Sequence, residues 1–148
     1  MLINIENMPL VAMDFMNNTH KEDIEIINEL YGLMLQFEKS PSQENETVLQ
    51  ELYTKWFEHT IEHFRAEEEM MLEKNFPPYP FHKSEHDKAL STMDALFREF
   101  NQTKNINALK EYFEREMPEW LLHHIQSMDT VTAMFFKTGM SPCGSGNC

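Results

Sequence analysis

Residues that step by three and four along "LQELYTKWFEHTIEHFRAEEEMM" form one helical face, and that face carries His63 and Glu67 among Leu49, Leu52, Trp56, Thr60 and Met70. Such a face builds the core of a helical protein, so an imidazole and a carboxylate are sent where polar groups are costly. An unpaired buried polar side chain costs about 1–3 kcal/mol, and a bare carboxylate considerably more. The pattern recurs along the chain. His20 starts a stripe with Ile24, Ile27, Tyr31 and Met34, and His82 and His86 share a face with Ala89, Met93, Phe97 and Phe100. Whatever the chain folds into must give these inward polar groups a common partner.

The punctuation between the stripes sets the architecture. "KSPSQEN" separates the first helix from a second expected over about 46–74, and "NFPPYP" stops that one because prolines so close together cannot continue a helix. "NQTKN" closes the third. The fourth is expected from near Ile106 to Gly139, a C-cap glycine after Lys137, with Pro118 either kinking it or starting a fresh first turn. Only 4 glycines and no β-branched alternation point away from sheet. The expectation is an all-α, antiparallel up-down-up-down four-helix bundle with a metal site in its core. A length of 148 residues fits one domain, read as an N-terminal arm over 1–17, the bundle over 18–138 and a flexible tail over 139–148.

Charge and leader features narrow the partners. With 25 Asp plus Glu against 12 Lys plus Arg, the surface repels phosphate backbones and anionic membranes, so neither nucleic acid nor a membrane is expected as a partner. No basic n-region with a long apolar run opens the chain, and no stretch approaches the roughly 20 apolar residues of a span, so a cytoplasmic location is expected. Cys143 and Cys148 both fall in the tail "SPCGSGNC", where neither is placed to staple the fold.

Helix by helix, the inward polar set is His20; His63 with Glu67; His82 with His86; and His124 with Asp129. A cation shared by several of them removes the desolvation penalty of neutral imidazoles and ionised carboxylates together. Seven donors exceed one tetrahedral zinc and suit two six-coordinate iron or manganese ions, with carboxylates bridging and a position left open. The pairs His63/Glu67 and His82/His86 are i, i+4. His124 and Asp129 are not. Five residues on a regular helix rotate by about 140°, which turns Asp129 away, whereas one π-turn with its i to i+5 register brings both to one face. A core without metal would carry too many unpaired polar groups.

The blocks "HFRAEE", "YPFHKSEH" and "WLLHHIQSMD", with "NNTHKEDIEIINEL" in the first helix, resemble the signature blocks of bacterial hemerythrins. The resemblance implies a non-haem centre of two iron ions, bridged by an oxo or hydroxo group. It implies that His82, His86 and His124 hold one iron and His20 and His63 the other, with Glu67 and Asp129 bridging. Dioxygen, or another small diatomic ligand, would bind reversibly at the two-histidine iron for storage, delivery or sensing, without net turnover. The alternative is a diiron oxidoreductase or iron-handling protein acting on dioxygen, peroxide, nitric oxide or ferrous iron. No protein partner is implied.

One departure from the family's pattern motivates that alternative. Three positions after His20, where the family usually has an apolar residue, stands Asp23, whose carboxylate is expected to lean toward the open position. His59 and His123 are read as surface or supporting groups rather than ligands, and Glu68 as a candidate to orient one. Trp56, Phe64 and Trp120 are read as core packing, the last two also as candidate walls of the ligand pocket.

Overall fold

A computed structural model describes residues 2–139. Three long helices come first: α1 (Asp14–Lys39), α2 (Gln43–Glu73) and α3 (Tyr79–Thr103). The fourth rod is assembled from α4 (Asn107–Glu114), α5 (Glu116–His124), a π-helical segment Ile125–Asp129 and α6 (Thr130–Thr138). Consecutive rods pack side by side, α1 on α2, α2 on α3 and α3 on α4, and the last closes on the first and second through α1 with α4 and α2 with α6. No strand occurs among the described residues. This is the expected four-helix bundle.

The buried faces follow 3.6-residue periodicity more closely than the stripes read by eye. On α2 the core positions are Leu49, Tyr53, Trp56, Thr60, His63, Phe64, Glu67 and Met71, while Leu52 and Met70 are half-buried. On α1 Leu30 replaces Tyr31 in the core, and Asp23 joins it. Aromatic edges knit the rods: Phe37 meets Phe100 at 5.3 Å, and Tyr53 stacks on Phe97 at 4.3 Å while its hydroxyl donates to the Met93 carbonyl at 2.8 Å.

The ends obey the capping signals. Ser42 accepts from the Asn45 N–H at the start of α2, and Gly139 closes α6 with φ +72°, its N–H donating to the Phe135 carbonyl. Pro118 starts no kink of its own. The break is at Arg115, whose φ of −123° and ψ of −72° depart from helical values and separate α4 from α5, and Pro118 lies in the first turn of α5, where its missing N–H costs nothing.

The N-terminal segment departs from the simple arm over 1–17. The first helix begins at Asp14, and Ile3 and Val11 are buried. Two asparagines of α1 hold it: Asn28 accepts from the Ile3 N–H and donates to the Ile3 carbonyl, both at 2.8 Å, and Asn17 does the same for Val11 at 2.8 and 2.9 Å. A primary amide offers the same donor and acceptor pair as a peptide group, so each asparagine stands in for a neighbouring strand. The tail containing Cys143 and Cys148 lies outside the described residues.

Candidate metal centre

All seven inward donors meet at one level of the bundle. Every one is buried, with His20, Glu67, His82 and His86 fully excluded from solvent. They form two overlapping groups: Glu67, His82, His86, His124 and Asp129, and His20, His63 and Glu67, the ligand atoms within each lying within 4.8 Å of one another. Glu67 belongs to both. Asp129 reaches across as well, its Oδ2 standing 3.0 Å from His20 Nε2 and its Oδ1 3.2 Å from both His82 Nε2 and His124 Nε2.

The π-segment makes this convergence possible. Ile125–Asp129 runs in the i to i+5 register, so His124 and Asp129 share the inner face that a regular helix would deny one of them. Thr130 donates its hydroxyl to the Ile125 carbonyl at 2.9 Å, occupying one of the backbone acceptors around the widened turn.

The contacts inside the cluster are close but poorly satisfied. His20 Nδ1 and Nε2, His63 Nδ1, Glu67 Oε1, His86 Nε2, His124 Nδ1 and Asp129 Oδ1 are buried without a hydrogen-bond partner, although His86 Nε2 is 3.5 Å and His82 Nε2 3.6 Å from Glu67 Oε1. Acceptors crowded at this distance without aligned donors repel one another unless a cation sits among them. The chemistry of the set, neutral imidazoles with carboxylates, matches two six-coordinate ions rather than one tetrahedral zinc. The residues present therefore fit a pair of metal ions.

Electrostatics agrees. Burial lowers the pKa of His63 and His82, and burial together with the neighbouring His82 and His124 lowers His86 to about 2, keeping these rings in the neutral form that coordinates. Burial, reinforced by Asp129 beside it, raises Glu67 well above the usual carboxylate range. Burial pushes Asp129 up too, but His124, His20 and His82 outweigh it and hold this carboxyl well below its ordinary value. For His124 burial pulls down and Asp129 pulls up, and Asp129 wins. His124 and Asp129, 3.2 Å apart, therefore each favour the charged form of the other.

Surrounding groups fix some of the rings. Thr132 donates its hydroxyl to the Met128 carbonyl at 2.8 Å and so accepts from His82 Nδ1 at 2.8 Å, leaving the His82 Nε2 lone pair facing inward. Glu68 accepts from His86 Nδ1 at 2.9 Å with the same result. Glu85 approaches His124 Nδ1 at 3.6 Å. Phe64 stacks flat on His86 at 3.8 Å, and Trp120 on His124 at 4.6 Å. Of these, Glu68 as a candidate to orient a ligand and Phe64 and Trp120 as candidate pocket walls were legible in the sequence, but not the histidine that each one meets. Thr132 and Glu85 were not, and the only available signals were their steps of eight residues from His124 and three from His82.

Asp23 is inside, as its spacing required, but is already engaged: its Oδ1 accepts from the Trp56 indole N–H at 2.8 Å. The reading of Trp56 as packing alone is thereby corrected. Burial raises the Asp23 pKa against the pull of His63, His59 and the indole. His59 lies outside both donor groups, half-buried, with Nδ1 3.9 Å from Asp23 and Nε2 3.4 Å from the exposed Glu22; His123 is exposed.

These features define a helical-bundle metalloprotein with a paired metal site, and comparison with known proteins assigns its family. The hemerythrin HHE cation-binding domain matches residues 11–135. The bacteriohemerythrin of Aquifex aeolicus (strain VF5) is 29% identical over 133 residues, 90% of this chain and 96% of that protein. That of Methylococcus capsulatus (Bath) is 24% identical, covering 78% of this chain and 81% of its own. That of Ralstonia nicotianae is 37% identical over 73 residues, 48% of this chain. No solved structure matches. The chain belongs to the hemerythrin HHE family of diiron-binding proteins, and its buried cluster of histidines and carboxylates is able to hold metal ions.

Proposed function

We propose that the protein reversibly binds dioxygen, for storage, delivery or sensing, at its two-iron centre. The observation that carries this reading is the pair of donor groups joined at Glu67, one rich in ligands and one poor. In this reading His82, His86 and His124 hold one ion and His20 and His63 the other, with Glu67 and Asp129 spanning both. His20 and His63 would give their ion fewer protein donors than the other group offers, leaving room for an exogenous ligand. A pair of iron ions held there would supply the redox chemistry that reversible dioxygen binding needs.

The chain's own residues do the rest. Phe64 and Trp120 cover the histidines and exclude bulk water, and Thr132 and Glu68 hold two imidazoles in the coordinating tautomer. Anaerobic loading with ferrous iron followed by air is expected to produce a visible charge-transfer band that disappears on deoxygenation. Rapid irreversible oxidation would contradict carriage.

Asp23 supports a second reading, turnover of peroxide or nitric oxide, because a carboxylate beside the ligand cavity provides a group that can hold or move a proton at its oxygens. Steady-state consumption of peroxide by the reduced protein, slowed in Asp23→Leu, would favour it.

A further inference from the structure

In the core, among α1, α2, α3 and α5, lies a small cavity of about 10 Å³, the scale of one water-sized molecule. Its wall includes Asp23, Ile27, Trp56, Thr60, Phe64 and Trp120. Its position follows from the helices. Asp23 is three residues beyond His20, Thr60 three before His63, and Trp120 four before His124, so the cavity sits about one turn along the bundle from the imidazoles. Phe64 links the two, with ring centroids 5.4 Å from His63 and 3.8 Å from His86.

The polar inventory of the wall is short. Thr60 donates its hydroxyl to the Trp56 carbonyl at 2.9 Å, and the Trp56 N–H is committed to Asp23. Asp23 is the one ionisable residue lining the cavity. Among the described residues no Lys or Arg pairs with it; its nearest basic neighbour is His59 Nδ1 at 3.9 Å. The indole bond holds the carboxylate on the cavity wall across 33 residues of sequence, between α1 and α2. A tether of this kind opposes the side chain's swinging over to become one more metal ligand.

The geometry points to a selectivity device: the Asp23–Trp56 pair makes the cavity one helical turn from His20 and His63 accept small neutral ligands that carry an O–H or N–H, hydrogen peroxide being the simplest, and reject small anions. The inference rests on the reading of His20 and His63 as holders of one iron. Cations held by His20 and His63 would favour the ionised carboxylate against the burial that disfavours it, and in that form it accepts hydrogen bonds and donates none. A ligand with a proton to donate gains a charge-assisted bond, whereas an anion meets a like charge across a few ångströms in a partly desolvated space. Asp23 acts here as a specificity residue, and Trp56 as the group that positions it.

The test uses azide as the anionic probe and nitric oxide as a neutral probe with no proton. Azide is titrated into the oxidised, iron-loaded protein and nitric oxide into the reduced protein, both followed by absorption, in wild type, Asp23→Asn and Asp23→Leu. Asp23→Asn keeps the shape and can still accept from the indole, so it guards against a merely misfolded Asp23→Leu. Azide is expected to bind at least about 30-fold more tightly to both variants than to wild type, with nitric oxide affinity unchanged within about 3-fold. In metal-free protein the Trp56 indole proton should exchange slowly in wild type and faster in Asp23→Leu, a readout independent of iron. Equal azide affinities at full iron content overturn the proposal while leaving the metal reading intact. Failure of wild type to bind iron overturns both.

Discussion

The two halves of the cluster are built from the same side chains and supported differently. In the three-histidine half, His82 is pinned by Thr132, His86 by Glu68, and His86 and His124 are each covered by a stacked aromatic ring. In the two-histidine half, the outer Nδ1 atoms of His20 and His63 have no partner, and Asp23, one turn from His20, is bonded to Trp56 instead. Outer hydrogen bonds fix ring orientation and raise ligand basicity. The difference is therefore one of support: outer hydrogen bonds and stacked rings hold His82, His86 and His124, and none of these holds the outer atoms of His20 and His63.

The largest expected effect breaks the comparison at its shared member. Glu67 is fully buried and belongs to both donor groups. Glu67→Ala removes a carboxylate from each half and leaves two cations repelling one another across a few ångströms. Iron bound per chain is expected to fall from two to one or fewer, by metal analysis after gel filtration. Retention of two irons with an unchanged spectrum would show that Glu67 does not join the halves.

Acid should come next. In the metal-free protein His86 is held at about 2, while in the unfolded chain it titrates near 6.5. Below about pH 6.5 the unfolded chain takes up a proton that the folded one refuses, so stability is present above that pH and is lost as pH falls toward about 2. His63 and His82 are shifted in the same direction, and His124 opposes them. The melting temperature of metal-free protein should drop between pH 7 and pH 5. The iron-loaded protein should drop more steeply, because protons also compete with metal for the rings. A flat profile in both would contradict neutral buried imidazoles.

Smaller changes sharpen the asymmetry. Thr132→Val and Glu68→Ala each remove an outer bond from the three-histidine half and should weaken iron binding about 10–100-fold, measured by competition with a chelator. His59→Ala should leave iron affinity unchanged, since His59 lies in neither donor group. Equal losses in all three variants would erase the distinction between supporting and peripheral groups.

Spacing made the seven donors visible, their division into halves came with the family resemblance, and neither carried the difference in support. Donor spacing alone brought His63 to Glu67 and His82 to His86, and the odd step from His124 to Asp129 demanded the π-turn that is present. These are local properties of one helix, so periodicity reports them. The contacts that separate the halves span the bundle: Thr132 to His82 covers 50 residues, Asp23 to Trp56 covers 33 and Glu68 to His86 covers 18. Such pairings depend on how rods are rotated against one another, which no single-helix pattern contains. The Asn28 and Asn17 bonds to the N-terminal segment escaped notice for the same reason.

The central claim is that seven converging side chains hold two metal ions of unequal support. Anaerobic titration of metal-free protein with ferrous iron, followed by calorimetry, tests it most directly. The account predicts saturation at two irons per chain in two resolved steps, with Thr132→Val weakening the tighter step and leaving the other unchanged. A single step ending at one metal per chain, or tight uptake of one zinc in its place, would contradict it.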